Sequence, residues 1–266
     1  MAQYFVDTQD YVDQNNDWWR SVGGFHQHRQ DELVLIRDGS SAMTCLGETI
    51  HLEAPAVAFY PHNIPHTQRN DPDKPYFRHR IQYSASQLDG MVPMNAIPRD
   101  FFAISLTGEE YARLVPFMDL MLAEQPNETQ DERRRHLLAI LLIELAPIVA
   151  ERFRAPEHNP HTESRQVLAI CQYIGAHYNE PLHLESLARR FFISRAKLDR
   201  LFRSVLGMTP GAYLLDIRVG YAKSFLMDGV SVQETAMRCG YTNVGYFIRL
   251  FRRYTGMTPA NYRNGK

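Results

Sequence analysis

The sequence predicts an α+β protein of two domains: an N-terminal β-barrel with a helical dimerisation segment, and a C-terminal all-α domain of two helix-turn-helix units joined by a spacer helix. Three observations predict it. Short apolar runs bounded by turn residues fill the first third of the chain, apolar runs at helical spacing follow, and the last hundred residues carry one motif twice, 49 positions apart.

The bulk properties agree with this division. A chain of 266 residues is long enough for two separate cores, and 44% hydrophobic with 22% charged residues is the composition of an ordinary globular protein. Three scattered cysteines make neither a disulfide framework nor a paired metal-ligand spacing, which fits a reducing compartment. The N-terminus is polar and acidic without an apolar signal region, and no apolar run approaches the ~18 residues needed to span a bilayer, so a cytoplasmic location away from membranes is expected. The net charge of −1 conceals an asymmetry: residues 165–266 hold 15 Lys and Arg against 6 Asp and Glu, leaving 14 against 24 in the remainder. A basic domain beside an acidic one points to a polyanionic partner for the C-terminal part, because clustered cations release condensed counterions from nucleic acid.

In chain order, the segment from about Gly23 to Tyr83 reads as strands DELVLIR, SAMTCL, ETIHL, VAFY and YFRHRIQY, separated by Asp38-Gly39, Gly47, Pro55 and Pro61. Antiparallel runs of this kind build a small barrel or sandwich. Two helices are expected next. Residues 107–124 place Tyr111, Leu114, Val115, Met118 and Leu122 on one face, and 130–153 carry apolar residues on more than one stripe, from Leu137 to Ile148. A helix needing cover on two sides either packs deeply in its own domain or meets a second copy, which makes it the dimerisation candidate. Residues 154–164, RAPEHNPHTES, read as the linker.

The repeat is RLFRSVLGMTPGAY at 200–213 and RLFRRYTGMTPANY at 249–262. Each copy follows a short helix and a brief turn, giving helix-turn-helix units at about 184–205 and 231–254 around a spacer helix at about 210–228. Ser194, Ser231 and Asn243 are N-cap residues, Gly207 and Gly256 stand at C′ positions, and Thr209-Pro210 and Thr258-Pro259 read as an N-cap followed by proline at the first helical position. Leu184, Leu187, Ala188 and Phe191 are expected to pack on Leu198, Leu201, Phe202 and Val205, and Val232, Ala236 and Met237 on Phe247, Leu250 and Phe251. The second helix of each unit then offers its N-terminal half to a DNA major groove. The candidate DNA contacts are Arg195, Ala196, Lys197, Asp199, Arg200 and Arg203 in the first unit, and Asn243, Val244, Gly245, Arg249, Arg252 and Arg253 in the second. Arg200 and Arg249 recur in register and suit bidentate contact with guanine, whereas Arg203, Arg252 and Arg253 suit phosphates.

Over residues 165–266 the chain resembles the AraC/XylS family of transcription regulators, in EPLHLESLARRFFISRAKLDRLFRSVLGMTP and GVSVQETAMRCGYTNVGYFIRLFRRYTGMTPANYR. The resemblance implies two recognition helices, with Ala196, Asp199 and Arg200 meeting bases in the first and Val244, Gly245 and Arg249 in the second. It further implies RNA polymerase as a partner, activation more often than repression, and no enzymatic activity.

In the barrel, His26 and His28 are expected on one face of a strand, with His66 on a later strand converging on them and on Glu32, and three imidazoles with a carboxylate suit a borderline divalent metal. The spacings H-x-H-x3-E-x6-G and P-x-N-x2-H-x3-N resemble the two motifs of the cupin superfamily, with Arg20 and Asn63 where glycine is usual. That resemblance implies His26, His28, Glu32 and His66 as metal ligands. The alternative keeps the same residues, with Tyr60, His62, Arg80 and His51, as a pocket for a small-molecule effector such as a sugar, an organic acid or an aromatic compound. The expected arrangement is therefore a cupin-like effector-binding and dimerisation domain over 1–153, a linker, and a DNA-binding domain over 165–266, acting as a homodimer on double-stranded DNA. The competing expectation is a metal-binding cupin sensor or enzyme fused to a DNA-binding module.

Overall fold

The computed structural model describes residues 5–11, 26–71, 74–93, 99–123, 128–153 and 162–265. Arg20, Gly23 and all but the last few residues of the expected linker lie outside them. The chain divides into two compact units, Met1–His161 and Thr162–Lys266.

Among the described residues the first unit holds eight strands: β1 (Phe5–Tyr11), β2 (Asp31–Asp38), β3 (Ser40–Cys45), β4 (Glu48–Glu53), β5 (Ala56–Tyr60), β6 (His66–Asn70), β7 (Tyr76–Tyr83) and β8 (Phe102–Ser105). They form two antiparallel sheets, ordered β1-β7-β2-β5-β8 and β4-β3-β6. The alternation of side chains along a strand separates two environments. Leu33 and Leu35 of β2, Val57 and Phe59 of β5, and Ile81 and Tyr83 of β7 enter one buried apolar cluster with helices α1 (Gly108–Ala123) and α2 (Glu128–Phe153). Glu32, Tyr60, Arg80 and Gln82, on the opposite faces of the same strands, meet polar groups instead, and Tyr76 and Arg78 of β7 reach Gln68 of β6 across the space between the sheets.

Four sequence expectations change here. His26 and His28 do not lie on a strand: His26 makes a single antiparallel bridge to His66, with both backbone bonds at 2.9 Å. Strands β1 and β8 were not expected. On α1 Met121 is fully buried and Leu122 is not, because the inward stripe follows Leu114, Met118 and Met121. On α2 the two stripes part company, Leu138, Leu141, Leu142, Leu145 and Ile148 being buried while Ile140 and Ile143 stand 43% and 45% exposed.

The second unit is all helical: α3 (Thr162–Ala176), α4 (Leu184–Arg190), α5 (Arg195–Leu206), α6 (Pro210–Met227), α7 (Val232–Arg238), α8 (Val244–Thr255) and α9 (Pro259–Arg263). Its N-caps are made by the residues the sequence marks. Ser194, Thr209, Ser231, Asn243 and Thr258 each accept a hydrogen bond from the backbone N–H three positions on, at 2.8–3.3 Å. Each such cap is worth on the order of 1 kcal/mol. Gly207 and Gly256 close the two recognition helices at φ 69° and 82°.

The first helix-turn-helix core is Leu187 and Ala188 against Leu198, Leu201 and Phe202; the second is Ala236 and Cys239 against Phe247 and Phe251. Met237 does not join it. It is 56% exposed, because α7 turns Thr235, Ala236 and Cys239 inward. Tyr213, Ile217, Ala222 and Leu226 of the spacer helix α6 are buried, and α6 packs against both recognition units.

Candidate functional site

The helical unit presents the two recognition helices on capped, buried supports. In the first, α4 turns through Phe191–Ile193, where the Phe192 and Ile193 backbone N–H groups donate back to the Arg189 and Ala188 carbonyls at 3.1 and 3.0 Å. In the second, Tyr241 N–H donates to the Ala236 carbonyl at 2.9 Å. Matching these bonds aligns Phe192 with Gly240, and both adopt a left-handed conformation, φ 56° and 77°. Two residues, Tyr241 and Thr242, separate Gly240 from its N-cap Asn243, but only Ile193 separates Phe192 from Ser194. The second turn is therefore one residue longer.

The expected DNA contacts fall into three groups. Ala196, Arg200 and Arg203 of α5 and Asn243, Gly245, Arg249, Arg252 and Arg253 of the second unit are exposed. Lys197, Asp199 and Val244 are partly buried. Arg195 is engaged within its own unit: Nε and Nη2 donate to the Asp199 carboxylate at 3.0 and 3.3 Å, and Nη1 donates to Glu185 at 3.2 Å. These bonds use three of the five guanidinium N–H donors, so Arg195 is held against α5 and α4 with one donor on each terminal nitrogen left for a further contact. Arg200 and Arg249 occupy the same register in their helices, two full turns short of the closing glycine.

In the barrel, the imidazoles of His26, His28 and His66 converge, each offering a nitrogen within 4.8 Å of the others. The His26–His66 backbone bridge holds those two side by side, and ring centroids lie 4.4 Å apart for His26 and His66 and 4.8 Å for His28 and His66. The fully buried Glu32 carboxylate comes within 3.2 Å of His28 Nε2 and 4.0 Å of His66 Nε2. Gln82 donates to it at 2.7 Å, and Arg80 Nη1 stands 3.7 Å away. Tyr60 stacks on His66, centroids 4.0 Å apart, and its buried hydroxyl has no hydrogen-bond partner among the described residues; neither does His66 Nε2.

Electrostatics keeps these groups in defined states. Burial lowers the His26 imidazole to about 4, against the opposing charge of Glu32, and holds His66 well below its ordinary range, so both are neutral near pH 7. Burial pushes the Glu32 carboxyl up, but the hydrogen bond from His28, with the Arg78 charge beside it, outweighs burial and holds the group well below the usual carboxylate range. Neutral imidazoles beside a carboxylate form a donor set for a divalent transition metal, and the His66 nitrogen left without a partner fits that use.

The other pocket candidates divide. Tyr60 and Arg80 join the cluster. His62 instead pairs with Asp31 at 2.8 Å, which raises its affinity for a proton. His51 is exposed and lines a shallow groove of about 340 Å³ with Ser40, Ser41, Glu53, Arg69, Asn70 and Asp71. Gln82, Gln68 and Arg78 were missed. Period-two alternation along β7 was the available signal, since it puts Arg78, Arg80 and Gln82 on one face. Asn63 stands at φ 60°, a left-handed conformation that asparagine tolerates better than most side chains, which accounts for its standing where glycine is usual in the motif.

Known proteins resemble both units. Residues 187–265 match the family described as a helix-turn-helix domain. The chain is 35% identical over 109 residues to the bifunctional transcriptional activator/DNA repair enzyme AdaA of Bacillus subtilis (strain 168), covering 41% of this chain and 52% of that one. It is 28% identical over 240 residues to the uncharacterised HTH-type transcriptional regulator YijO of Escherichia coli (strain K12), covering 87% and 80%. The chain spans about half the length of the first curated relatives it matches. The structure of unsaturated-fatty-acid-bound ToxT from Vibrio cholerae strain SCE256 aligns with 99% of this chain and 96% of its own at a TM-score of 0.53 and 12% identity, a likeness of fold alone. Among the described residues no helix is long and apolar enough to cross a membrane. The duplicated capped motif, the match over residues 187–265 and these relatives show a C-terminal helix-turn-helix domain similar to those of transcription regulators, in a chain whose overall fold is like that of ToxT.

Proposed function

We propose that the protein is a cytoplasmic, sequence-specific DNA-binding regulator of transcription, an activator in its usual mode, that responds to a small molecule held in the N-terminal barrel. The observation that carries this reading is the pair of recognition helices in one helical unit, each capped, each backed by its own buried core, and each exposing arginines in the same register. The domains are the effector-binding and dimerisation domain to residue 153, the linker 154–164 and the DNA-binding domain from 165. Arg200 and Arg249 read bases; Arg203, Arg252 and Arg253 hold phosphates; Ala196, Lys197, Asp199, Asn243, Val244 and Gly245 line the contact. The apolar face of α2 carrying Ile140 and Ile143 joins two copies, and RNA polymerase is the downstream partner. The protein acts by binding rather than by turnover. In the barrel, His26, His28, Glu32, Tyr60, His66 and Arg80 meet the effector, with His62 at the edge of the site.

The test is selection of duplexes from a random library by the purified protein beside Arg200→Ala and Arg249→Ala. A bipartite site that both variants lose supports the reading, and a wild type that enriches nothing refutes it.

A second reading is favoured by the convergence of the three imidazoles on the Glu32 carboxylate. In it, His26, His28, His66 and Glu32 hold a divalent transition metal, and the barrel is a metal-binding sensor or enzyme fused to the DNA-binding unit. Metal analysis of protein purified without added metal separates the two: stoichiometric metal that His66→Ala loses favours the second reading, and none in the wild type favours the first.

A further inference from the structure

We propose that Phe192 is a specificity contact of the first helix-turn-helix unit, its ring packing on the 5-methyl edge of a thymine beside the N-terminus of α5; this rests on the DNA-binding reading above. Phe192 is 96% exposed, the most exposed of the large apolar residues described. Its φ of 56° lies in the left-handed region, which disfavours every residue with a Cβ and a bulky one most. The second unit fills the same position with Gly240 at φ 77°. Glycine would therefore serve the first turn better, since the phenyl ring is left in solvent and gains no burial in return. A residue that breaks a local rule without a structural return is a candidate for meeting a ligand.

Position and charge identify that ligand. Phe192 stands two residues before Ser194, the N-cap of α5, so at most about 7 Å of backbone separates it from the helix end that enters the groove. The exposed Arg189 and Arg190 precede it and Lys197 follows, while the nearby Glu185 carboxylate is occupied by Arg195. An exposed aromatic ring in a cationic frame suits a partner that is anionic yet offers an apolar edge. Duplex DNA combines phosphates with the thymine methyl group, which phenylalanine contacts in the major groove.

The experiment measures, on the full chain and the duplex that the wild type selects, the affinity of wild type, Phe192→Gly and Phe192→Leu. Each thymine of the first half-site is replaced in turn by deoxyuridine, which removes only the methyl. Phe192→Gly should unfold at the same or a higher temperature, so weakened binding cannot come from a damaged fold. Its affinity should fall about fourfold, the worth of one buried methyl group. At one thymine, deoxyuridine should weaken the wild type by the same factor and leave Phe192→Gly unchanged, with Phe192→Leu between them. Equal affinity of wild type and Phe192→Gly on every duplex overturns the proposal. So does unchanged DNA affinity with reduced transcription by added RNA polymerase, which assigns the ring to a protein partner. A wild type that selects no duplex overturns the DNA-binding reading along with this one, whereas a null result confined to Phe192 overturns this one alone.

Discussion

Alanine at position 240 tests whether the second turn depends on glycine for both its conformation and its space. At φ 77° an added Cβ costs about 1–2 kcal/mol through its clash with the backbone. The same Cβ would lie 2.8 Å from the Asn179 carbonyl oxygen and 2.9 Å from Arg218 Nη2. Neither neighbour can move freely, because Arg218 donates to the Tyr178 and Glu180 carbonyls at 2.7 and 2.8 Å and so ties the spacer helix to the segment after α3. Overpacking of this kind costs a further ~1–3 kcal/mol, and the two together come to about 2–5 kcal/mol. In a helical unit of this size that lowers the unfolding temperature by roughly 10 °C or more. Thermal unfolding of the full chain, followed by circular dichroism at the helical minimum, provides the assay. Phe192→Gly, at the matching position of the first turn, should move the transition the other way by about 1 kcal/mol. A Gly240→Ala transition within about 3 °C of the wild type would refute the reasoning, and would mean that the turn relaxes without loss.

Three further outcomes follow from the same geometry. Arg252→Ala should weaken binding to all duplexes alike and reduce the slope of log affinity against log salt by about 0.9, the signature of one lost phosphate contact; a change in the selected sequence would argue for a base contact instead. Asp216 on α6 has its carboxyl raised by burial to about 6, so its protonated form favours the folded state, and this contribution is complete below pH ~4 and lost as pH rises through 6. Asp216→Asn should therefore stabilise the protein at pH 7.5, by about 1 kcal/mol once partial exposure and Lys223 are allowed for, and the gain should vanish at pH 4 in parallel urea titrations. Replacing both Ile140 and Ile143 by Asp should yield monomers by sedimentation with the helical circular dichroism of the wild type, because both side chains are exposed on the single chain; variants that sediment as the wild type would remove α2 as the dimer contact.

The helical unit was the more legible half of the sequence because its instructions are local. Caps at Ser194, Asn243 and Thr258 and the glycines at 207 and 256 each act within one turn of the chain, so sequence position alone located them. The inward turn of α7 was less legible, since a seven-residue helix carries too few apolar residues to fix its orientation and Met237 offered a plausible face. The barrel depends on pairings between distant segments. Strand β1, FVDTQDY, was unreadable because its residues are mostly polar and its place is set by pairing with β7. The four-residue β8 is too short for a period to show. Motif spacing marked His26, His28 and His66, but only the single bridge between His26 and His66 brings two of them together, and no local rule forecasts an isolated bridge. The pairing that diverted His62 to Asp31 was equally hidden, because the partners lie 31 residues apart.

The longer second turn has a consequence for orientation. The two helix-turn-helix units are successive copies along one chain, and the extra residue between Gly240 and Asn243 makes the copies unequal. A DNA segment read by one such chain has a beginning and an end. Turning the segment around would present each reading helix with the other's bases, so a single bound chain points one way along the chromosome, and the gene it faces is decided by which strand carries the site.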